Sequence, residues 1–208
     1  MSHFIVNMIL PTGEVNKRKI EELLSPYDEE IQTEPYIAYY MRDAEKLRKK
    51  ELRYYKEILD RKDEGFNVEK IAEHYKYLQE ISAGQYYDQH FEGRTRDKKG
   101  NILSTYNPNS KWDWWEIGGR FAGWLNDLPE NKSSNSLKDN CCPIEQVITG
   151  KKIPFALVLP DGKWLEQGKM GWWAIVTNEM PEKAWEKLVI GRYKKYPGHT
   201  VVQIDCHI

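Results

Sequence analysis

The order strand, helix, strand occurs at both ends of this chain, and this pattern restricts the fold more than any other feature. At the N-terminal end, the apolar run His3 to Leu10 is typical of a buried strand, and a helix separates it from a second extended segment, Ile31 to Tyr40. Near the C-terminal end, Gly171 to Thr177 and Thr200 to Cys206 are predicted strands on either side of a helix that begins at Pro181. Two β-α-β halves are the parts of a ferredoxin-like sheet with helices on one face. The sequence therefore predicts an α+β fold with a ferredoxin-like βαβ…βαβ core.

The long segment between the two halves is predicted to be an insertion in a single domain. The core comprises residues 1–40 and 150–208, and the insertion comprises residues 41–149. Apolar residues recur at helical spacing over residues 43–81, with a break at Gly65, so this part is expected to form a charged helical hairpin. A loop rich in tryptophan follows it.

Composition limits the classes of partner and the compartment. The 31 Lys and Arg balance 32 Asp and Glu, so a net charge of -1 gives no general attraction to nucleic acid or to an anionic membrane. The sequence contains no apolar run of the length that a membrane span needs, and no secretory signal. Its three cysteines, Cys141, Cys142 and Cys206, do not have the spacing of a disulfide framework or a zinc site. We therefore expect a cytoplasmic protein with reduced thiols and no metal or cofactor.

The segment Tyr106 to Trp124 carries the strongest indication of a binding site. Paired glycines, Gly118 and Gly119, would destabilise a helix interior by roughly 2 kcal/mol relative to alanine, so they indicate a sharp turn or a close approach to the backbone. The guanidinium of Arg120 can hold a phosphate or carboxylate, and neighbouring indoles can stack on a ring. The predicted ligand-binding residues are Lys111, Trp112, Asp113, Trp114, Trp115, Glu116, Gly118, Gly119 and Arg120.

This segment also carries a resemblance. The run Ser104 to Arg120, which contains YNPNSKWDWWEIGGR, closely resembles a motif in uncharacterised proteins of bacteriophages and of Gram-positive and actinobacterial genomes. The stretch Glu21 to Glu29, together with Glu34-Pro35-Tyr36, is similar to their N-terminal region. The resemblance implies a phage-encoded or phage-derived protein, and it brings no established activity and no catalytic residues.

Other readings of the same residues remain open. The tryptophans can instead fill a gap in the core, with Arg120 paired to Asp113 or Glu116. Asp113 and Glu116 are also a candidate carboxylate pair, and His90 is a candidate general base. In Asp205-Cys206-His207 a thiol–imidazole pair is not expected, because adjacent residues on a strand point to opposite faces.

Three functions are therefore predicted as alternatives. The first is binding of a small anionic, ring-bearing ligand such as a nucleotide, which in a phage protein would suit sequestration of a host immune signal. The second is a nucleotide-directed enzyme that uses Asp113, Glu116 or His90. The third is inhibition of a host protein through the hairpin at residues 43–81.

Overall fold

The computed structural model describes residues 2–61, 67–171 and 175–208, and the chain forms two compact units. The sheet unit comprises the chain up to Ile31 together with Tyr106–Ile208, and the helical unit comprises Gln32–Thr105. The boundaries differ from the predicted ones, since the tryptophan-rich segment belongs to the sheet unit and the extended segment after Gln32 does not. The break predicted at Gly65 lies outside the described residues.

The secondary structure of the described residues mixes strands and helices. The strands are β1 (His3–Pro11), β2 (Tyr36–Tyr39), β3 (Ile102–Ser104), β4 (Trp114–Ile117), β5 (Cys141–Pro143), β6 (Ala156–Val158), β7 (Trp164–Glu166), β8 (Lys169–Met170), β9 (Val176–Thr177) and β10 (His199–His207). The helices are α1 (Lys17–Leu24), α2 (Ala44–Arg61), α3 (Val68–Glu80), α4 (Ala83–His90), α5 (Ile144–Gly150) and α6 (Glu182–Tyr193). The protein is therefore α+β, as predicted.

The sheet unit is built on a mixed sheet with the strand order β4-β10-β1-β6-β7. Its two central strands, β1 and β10, are antiparallel from His3 opposite His207 to Pro11 opposite His199, and β6 runs parallel to β1. Strands buried on both faces have nearly continuous apolar sequences, which is what β1 shows from Phe4 to Leu10. The far edge of β10 is shared: β4 pairs with its C-terminal half and β5 with its N-terminal half.

Two of the four strands of the predicted ferredoxin-like core do not join this sheet. The segment Ile31 to Tyr40 contributes β2, which pairs with β3 in the helical unit. From Gly171 to Thr177, residues 172–174 lie outside the described residues, and β9 pairs with β8. In addition, α1 and α6 cover opposite faces, because Leu24 packs with Phe4 and Met8, whereas Trp185 packs with Ile9 and Leu157. Apolar patterning identifies a strand but not its partner, so the topology could not be read from it.

The helical unit packs α3 and α4 against the long helix α2. The Arg48 guanidinium on α2 donates to the carbonyl oxygens of Leu78 at 2.8 Å and of Ile81 at 3.2 Å, which stabilises the end of α3. Ser82 and Gln85 form a reciprocal capping box at the start of α4. The two predicted helices of the hairpin are therefore present as α2 and α3. Within the ranges that the structure describes, no helix is long and apolar enough to cross a membrane.

Candidate acid–base site at the end of the sheet

The tryptophan-rich segment contributes an edge strand, which separates its side chains onto two faces. Trp114 lies opposite His207 and Glu116 opposite Asp205, so these four side chains share one face of the sheet. Trp115 lies opposite Cys206, and it packs on the other face against the apolar core. One half of the segment is therefore part of the core, and the other half borders a polar surface.

Two of the predicted ligand-binding residues are used by the protein itself. The Trp112 ring is only 6% exposed, and its Nε1 donates to the Leu24 carbonyl oxygen at 3.2 Å. Its faces are therefore not available for a ligand to stack on, and the core interpretation holds for this ring. Lys111 forms an ion pair with Glu166 at 2.7 Å, so its charge is already compensated.

The double glycine also has an internal explanation. Gly118 has a φ of +71° and Gly119 a φ of +51°, in the region that favours glycine. A Cβ atom at Gly118 would lie 2.5 Å from the side chain of Asn140, and one at Gly119 would lie 2.5 Å from the side chain of Asp205. The glycines let two buried polar side chains reach the backbone, and a role in binding a ligand stays a prediction.

Buried amides hold the loop that follows these glycines between β4 and β5. The Gly123 N–H donates to Asn140 Oδ1 at 2.8 Å, and the Leu125 N–H donates to Gln203 Oε1 at 3.3 Å. Gln203 Nε2 in turn donates to the carbonyl oxygen of Phe121. Asn140 and Gln203 are both fully buried, so groups shielded from water anchor the loop backbone to the residue before β5 and to β10.

Asp205, on β10, lies beneath the polar surface and contacts groups from two other parts of the chain. It is fully buried, and its two carboxylate oxygens lie 3.0 and 3.1 Å from Nδ1 of His3 on the neighbouring strand β1. The backbone N–H of Arg120 donates to Asp205 Oδ2 at 2.8 Å. A carboxylate held in this way fixes the His3 ring and, in a neutral imidazole, places the proton on Nδ1 and the lone pair on Nε2.

A second histidine–carboxylate pair lies beside the first. His207 Nδ1 is hydrogen-bonded to Asp113 Oδ1, and the centroids of the His207 and His3 rings are 5.0 Å apart. His207 Nε2 is buried and has no hydrogen-bond partner within the described residues. The half-exposed Trp114 completes the group, with its ring centroid 6.1 Å from that of His3. We call His3, Asp113, Trp114, Asp205 and His207 the sheet-end cluster.

Glu116 and Arg120 border the sheet-end cluster. Glu116, which is half-buried, faces the same side as Asp205, and Arg120 is exposed. Within the described part of the chain, Arg120 forms no ion pair, so the predicted pairing with Asp113 or Glu116 is not present. Two imidazoles and two carboxylates thus meet at one end of the sheet, with Glu116 on the same face. Such a set can accept, hold and donate protons.

Alternating polar residues on the first and last strands are a sequence signal for this cluster. On β1, His3 and Asn7 are polar, with Ile5 between them on the same face. On β10, the alternate residues Gln203, Asp205 and His207 are all polar. Period-two polarity on two buried strands indicates a polar stripe on one face. Cys206 lies between these residues on the opposite face, in the core, where burial raises its pKa. As expected, it forms no pair with His207.

His90, the remaining predicted base, belongs to the helical unit, whereas Asp113 and Glu116 belong to the sheet unit. Its Nδ1 lies 3.7 Å from Glu51 Oε2, and the neighbouring Asp88 forms an ion pair with Arg96 at 2.6 Å. Among the residues with described positions, no group of three or more His, Cys, Asp or Glu side chains is arranged to hold a metal ion.

Comparison with known protein families, with curated proteins and with solved structures found no match.

Proposed function

We propose that the chain is an acid–base enzyme whose reacting site is the sheet-end cluster and whose proton-transferring group is His3. One observation carries the proposal: a fully buried carboxylate, Asp205, contacts Nδ1 of His3 through both oxygens and is itself held by a backbone N–H. This arrangement orients an imidazole and leaves its Nε2 for a substrate. Ion pairs on protein surfaces lack that rigidity.

The charges around His3 favour one reaction class. Asp113, Glu116 and Asp205 surround the imidazoles with negative charge, which stabilises a transition state that gains positive charge. Cleavage of a glycosidic or N-glycosidic bond has an oxocarbenium-like transition state of this kind. In the N-glycosidic case His3 acts as the imidazolium: Asp205 holds its Nδ1–H, and its Nε2–H gives a proton to the departing base as the C–N bond breaks. Water then adds to the sugar carbon and returns a proton to the imidazole.

The substrate class follows from the two exposed side chains at the border of the cluster. The half-exposed ring of Trp114 offers a stacking surface next to His3. Arg120 is exposed, and its backbone N–H is held by Asp205, so its guanidinium is a candidate partner for a phosphate. A nucleoside presents the ring, and a nucleotide presents both the ring and the phosphate. The proposed ligand class is therefore the one predicted from the sequence, but fewer of the predicted residues are proposed to bind it.

Turnover of a panel of nucleosides and nucleotides, followed by chromatography of the released base, tests this proposal. We expect release of free base by the wild type and a loss of about a hundredfold or more in His3→Gln, the range typical of general acid–base catalysis. His74→Gln in the helical unit is the matched control and is expected to retain full activity. Absence of release from every substrate, or equal activity in His3→Gln, would contradict the proposal.

The second candidate is binding of the same ligand without chemistry, which the stacking surface of Trp114 favours on its own. Ligand recovered unchanged, with quenching of tryptophan fluorescence that Trp114→Phe removes, would support this alternative. A phage origin and an anti-defence role stay predictions from resemblance. Inhibition of a host protein stays a prediction from the charged, tyrosine-containing helical hairpin at residues 43–81.

A further inference from the structure

A groove in the helical unit, separate from the sheet-end cluster, has the size and lining of a small-molecule site. Its volume is about 660 Å³, within the range of ligand pockets. One wall is formed by the segment after β2 and the other by the turn that precedes β3. The lining of the groove includes Ile37, Tyr40, Arg42, Lys98, Lys99 and Asn101.

The groove carries a net positive charge, because its lining has three cations, Arg42, Lys98 and Lys99, against the one carboxylate of Asp97. Arg42, Lys98 and Lys99 are exposed, and none of them forms an ion pair within the described ranges 2–61, 67–171 and 175–208. The carboxylate in the lining, Asp97, is hydrogen-bonded within its own turn. It accepts hydrogen bonds from the Asn101 side chain at 2.8 Å and from the Lys99 N–H at 2.8 Å. The hydrogen bond from Asn101 holds the pKa of Asp97 below its usual value. The lining is therefore matched to an anion.

An arginine stacked on a tyrosine provides a ring platform in the same groove. The guanidinium carbon of Arg42 lies 4.3 Å from the centroid of the Tyr40 ring, which is 39% exposed. Stacking uses the flat face of the guanidinium and leaves its in-plane N–H groups for a phosphate or carboxylate. A ligand that has both a ring and an oxyanion can therefore contact Tyr40 and Arg42 together.

The two walls are held in register by a hydrogen bond across the groove. The Met41 N–H donates to Asn101 Oδ1 at 3.0 Å, and the turn that carries Lys98 and Lys99 is closed by Asp97 and by Gly100 at a φ of +80°. The cations are consequently presented by an ordered turn next to the Arg42 stack. Such an arrangement is already formed before a ligand arrives, which lowers the entropy lost on binding.

We infer that the groove formed by Tyr40, Arg42, Lys98 and Lys99 binds a phosphorylated, ring-bearing small molecule of the nucleotide class. The charge selects the phosphate, and the exposed Tyr40–Arg42 stack selects the ring. This site does not depend on the proposed reaction at the sheet-end cluster.

Calorimetric titration of the full-length protein with ATP tests the inference, with tripolyphosphate and adenosine as separate arms. We expect saturable binding of ATP, weaker binding of tripolyphosphate and the weakest binding of adenosine. Arg42→Ala should weaken ATP binding about tenfold or more, and Arg42→Lys should also weaken it, because lysine keeps the charge but loses the stack and the fork of donors. Lys76→Ala, an exposed lysine on α3, is the matched control.

Thermal melting of each variant shows whether it is folded. The inference is overturned if the wild type binds no ATP or if Lys76→Ala weakens binding as much as Arg42→Ala. It is also overturned if an acidic peptide, but not ATP, saturates the protein. Loss of turnover at the sheet-end cluster with ATP binding intact would affect only the proposed reaction.

Discussion

The sheet unit and the helical unit each contain a cluster in which two histidines contact carboxylates. The two clusters differ in how their central carboxylate, Asp205 or Glu51, is held. Asp205 in the sheet unit has a side chain that is 1% exposed, and it lies 3.0 Å from His3. Glu51 in the helical unit has a side chain that is 23% exposed, and it lies 3.4 Å from His74 and 3.7 Å from His90. Both of those histidines are more than 40% exposed, at 43% and 46%.

The difference shows how a fold converts the same residue types into different chemistry. A backbone N–H and a shielded position fix Asp205, so its histidine has one orientation. Glu51 accepts a hydrogen bond from the Tyr86 hydroxyl at 2.6 Å. Its contacts with the two imidazoles are longer and resemble those of a solvated surface pair. Proximity of acid and base is thus common to both clusters, but rigid orientation is found at the end of the sheet.

The largest expected effect is the difference in the free energy of unfolding between the Asp205→Ala and Glu51→Ala variants. Asp205→Ala removes a buried partner of His3 and of the Arg120 N–H, and breaking a buried pair lowers the free energy of unfolding by about 3–5 kcal/mol. Glu51→Ala is expected to lower it by about 1 kcal/mol, chiefly through the hydrogen bond from Tyr86. Urea denaturation followed by circular dichroism measures both. Equal losses would remove the distinction between the clusters.

The second test concerns the backbone that surrounds Asp205. Gly119→Ala places a Cβ atom 2.5 Å from the Asp205 side chain at a positive φ, so we expect a loss of about 2 kcal/mol or more in the free energy of unfolding. Gly191→Ala in α6 is the matched control: nothing lies within 4 Å of its Cβ position, and alanine favours a helix by about 1 kcal/mol. A stable Gly119→Ala protein would show that Asp205 is not held as tightly as described.

The third test uses alkaline pH to probe the helical unit. Burial, followed by the hydrogen bond to Glu51, raises the pKa of Tyr86, so the folded protein favours the neutral phenol. This contribution is complete below the ordinary tyrosine pKa of about 10 and is lost as the pH rises through the raised value. The free energy of unfolding should therefore fall less above pH ~10 in Tyr86→Phe than in the wild type. Identical slopes in denaturation curves measured across that range would refute the assignment.

The smallest expected effect concerns the exposed histidines. His74 contacts Glu51 from a position that is 43% exposed, and surface pairs of this kind contribute between 0 and about 1 kcal/mol. His74→Gln should therefore change the free energy of unfolding by less than about 0.5 kcal/mol. A change of several times that size in the same urea experiment would mean that the helical cluster is as ordered as the sheet-end cluster.

The sequence predicted local elements well because these depend on neighbouring residues. The strands at His3–Pro11 and His199–His207 and the helix at Glu182–Tyr193 follow from apolar runs, from helical spacing and from Pro181. Strand partners could not be predicted in the same way. The short β2, for example, pairs with β3 instead of joining the central sheet. Pairing of this kind is decided by contacts between distant parts of the chain.

The candidate site was predicted only in part, for a related reason. Asp113, Trp114, Glu116 and Arg120 were recognised from the density of aromatic and charged residues, and they do lie at one end of the sheet. Their histidines are contributed by the first and last strands, which are adjacent only because β1 and β10 pair. The neighbours of the double glycine, Asn140 and Asp205, are far away in sequence, so they could not be predicted from the local pattern.

The orientation of the histidines can be measured directly by NMR of protein labelled with ¹⁵N in the imidazole ring, at a pH where the signals are those of neutral rings. Carboxylates at Nδ1 should hold His3 and His207 in the Nδ1–H tautomer, while His74 and His90 should show the mixture typical of exposed histidines. If His3 and His207 instead carry the proton on Nε2, or show the same mixture as His74 and His90, the sheet-end cluster is not an oriented acid–base site.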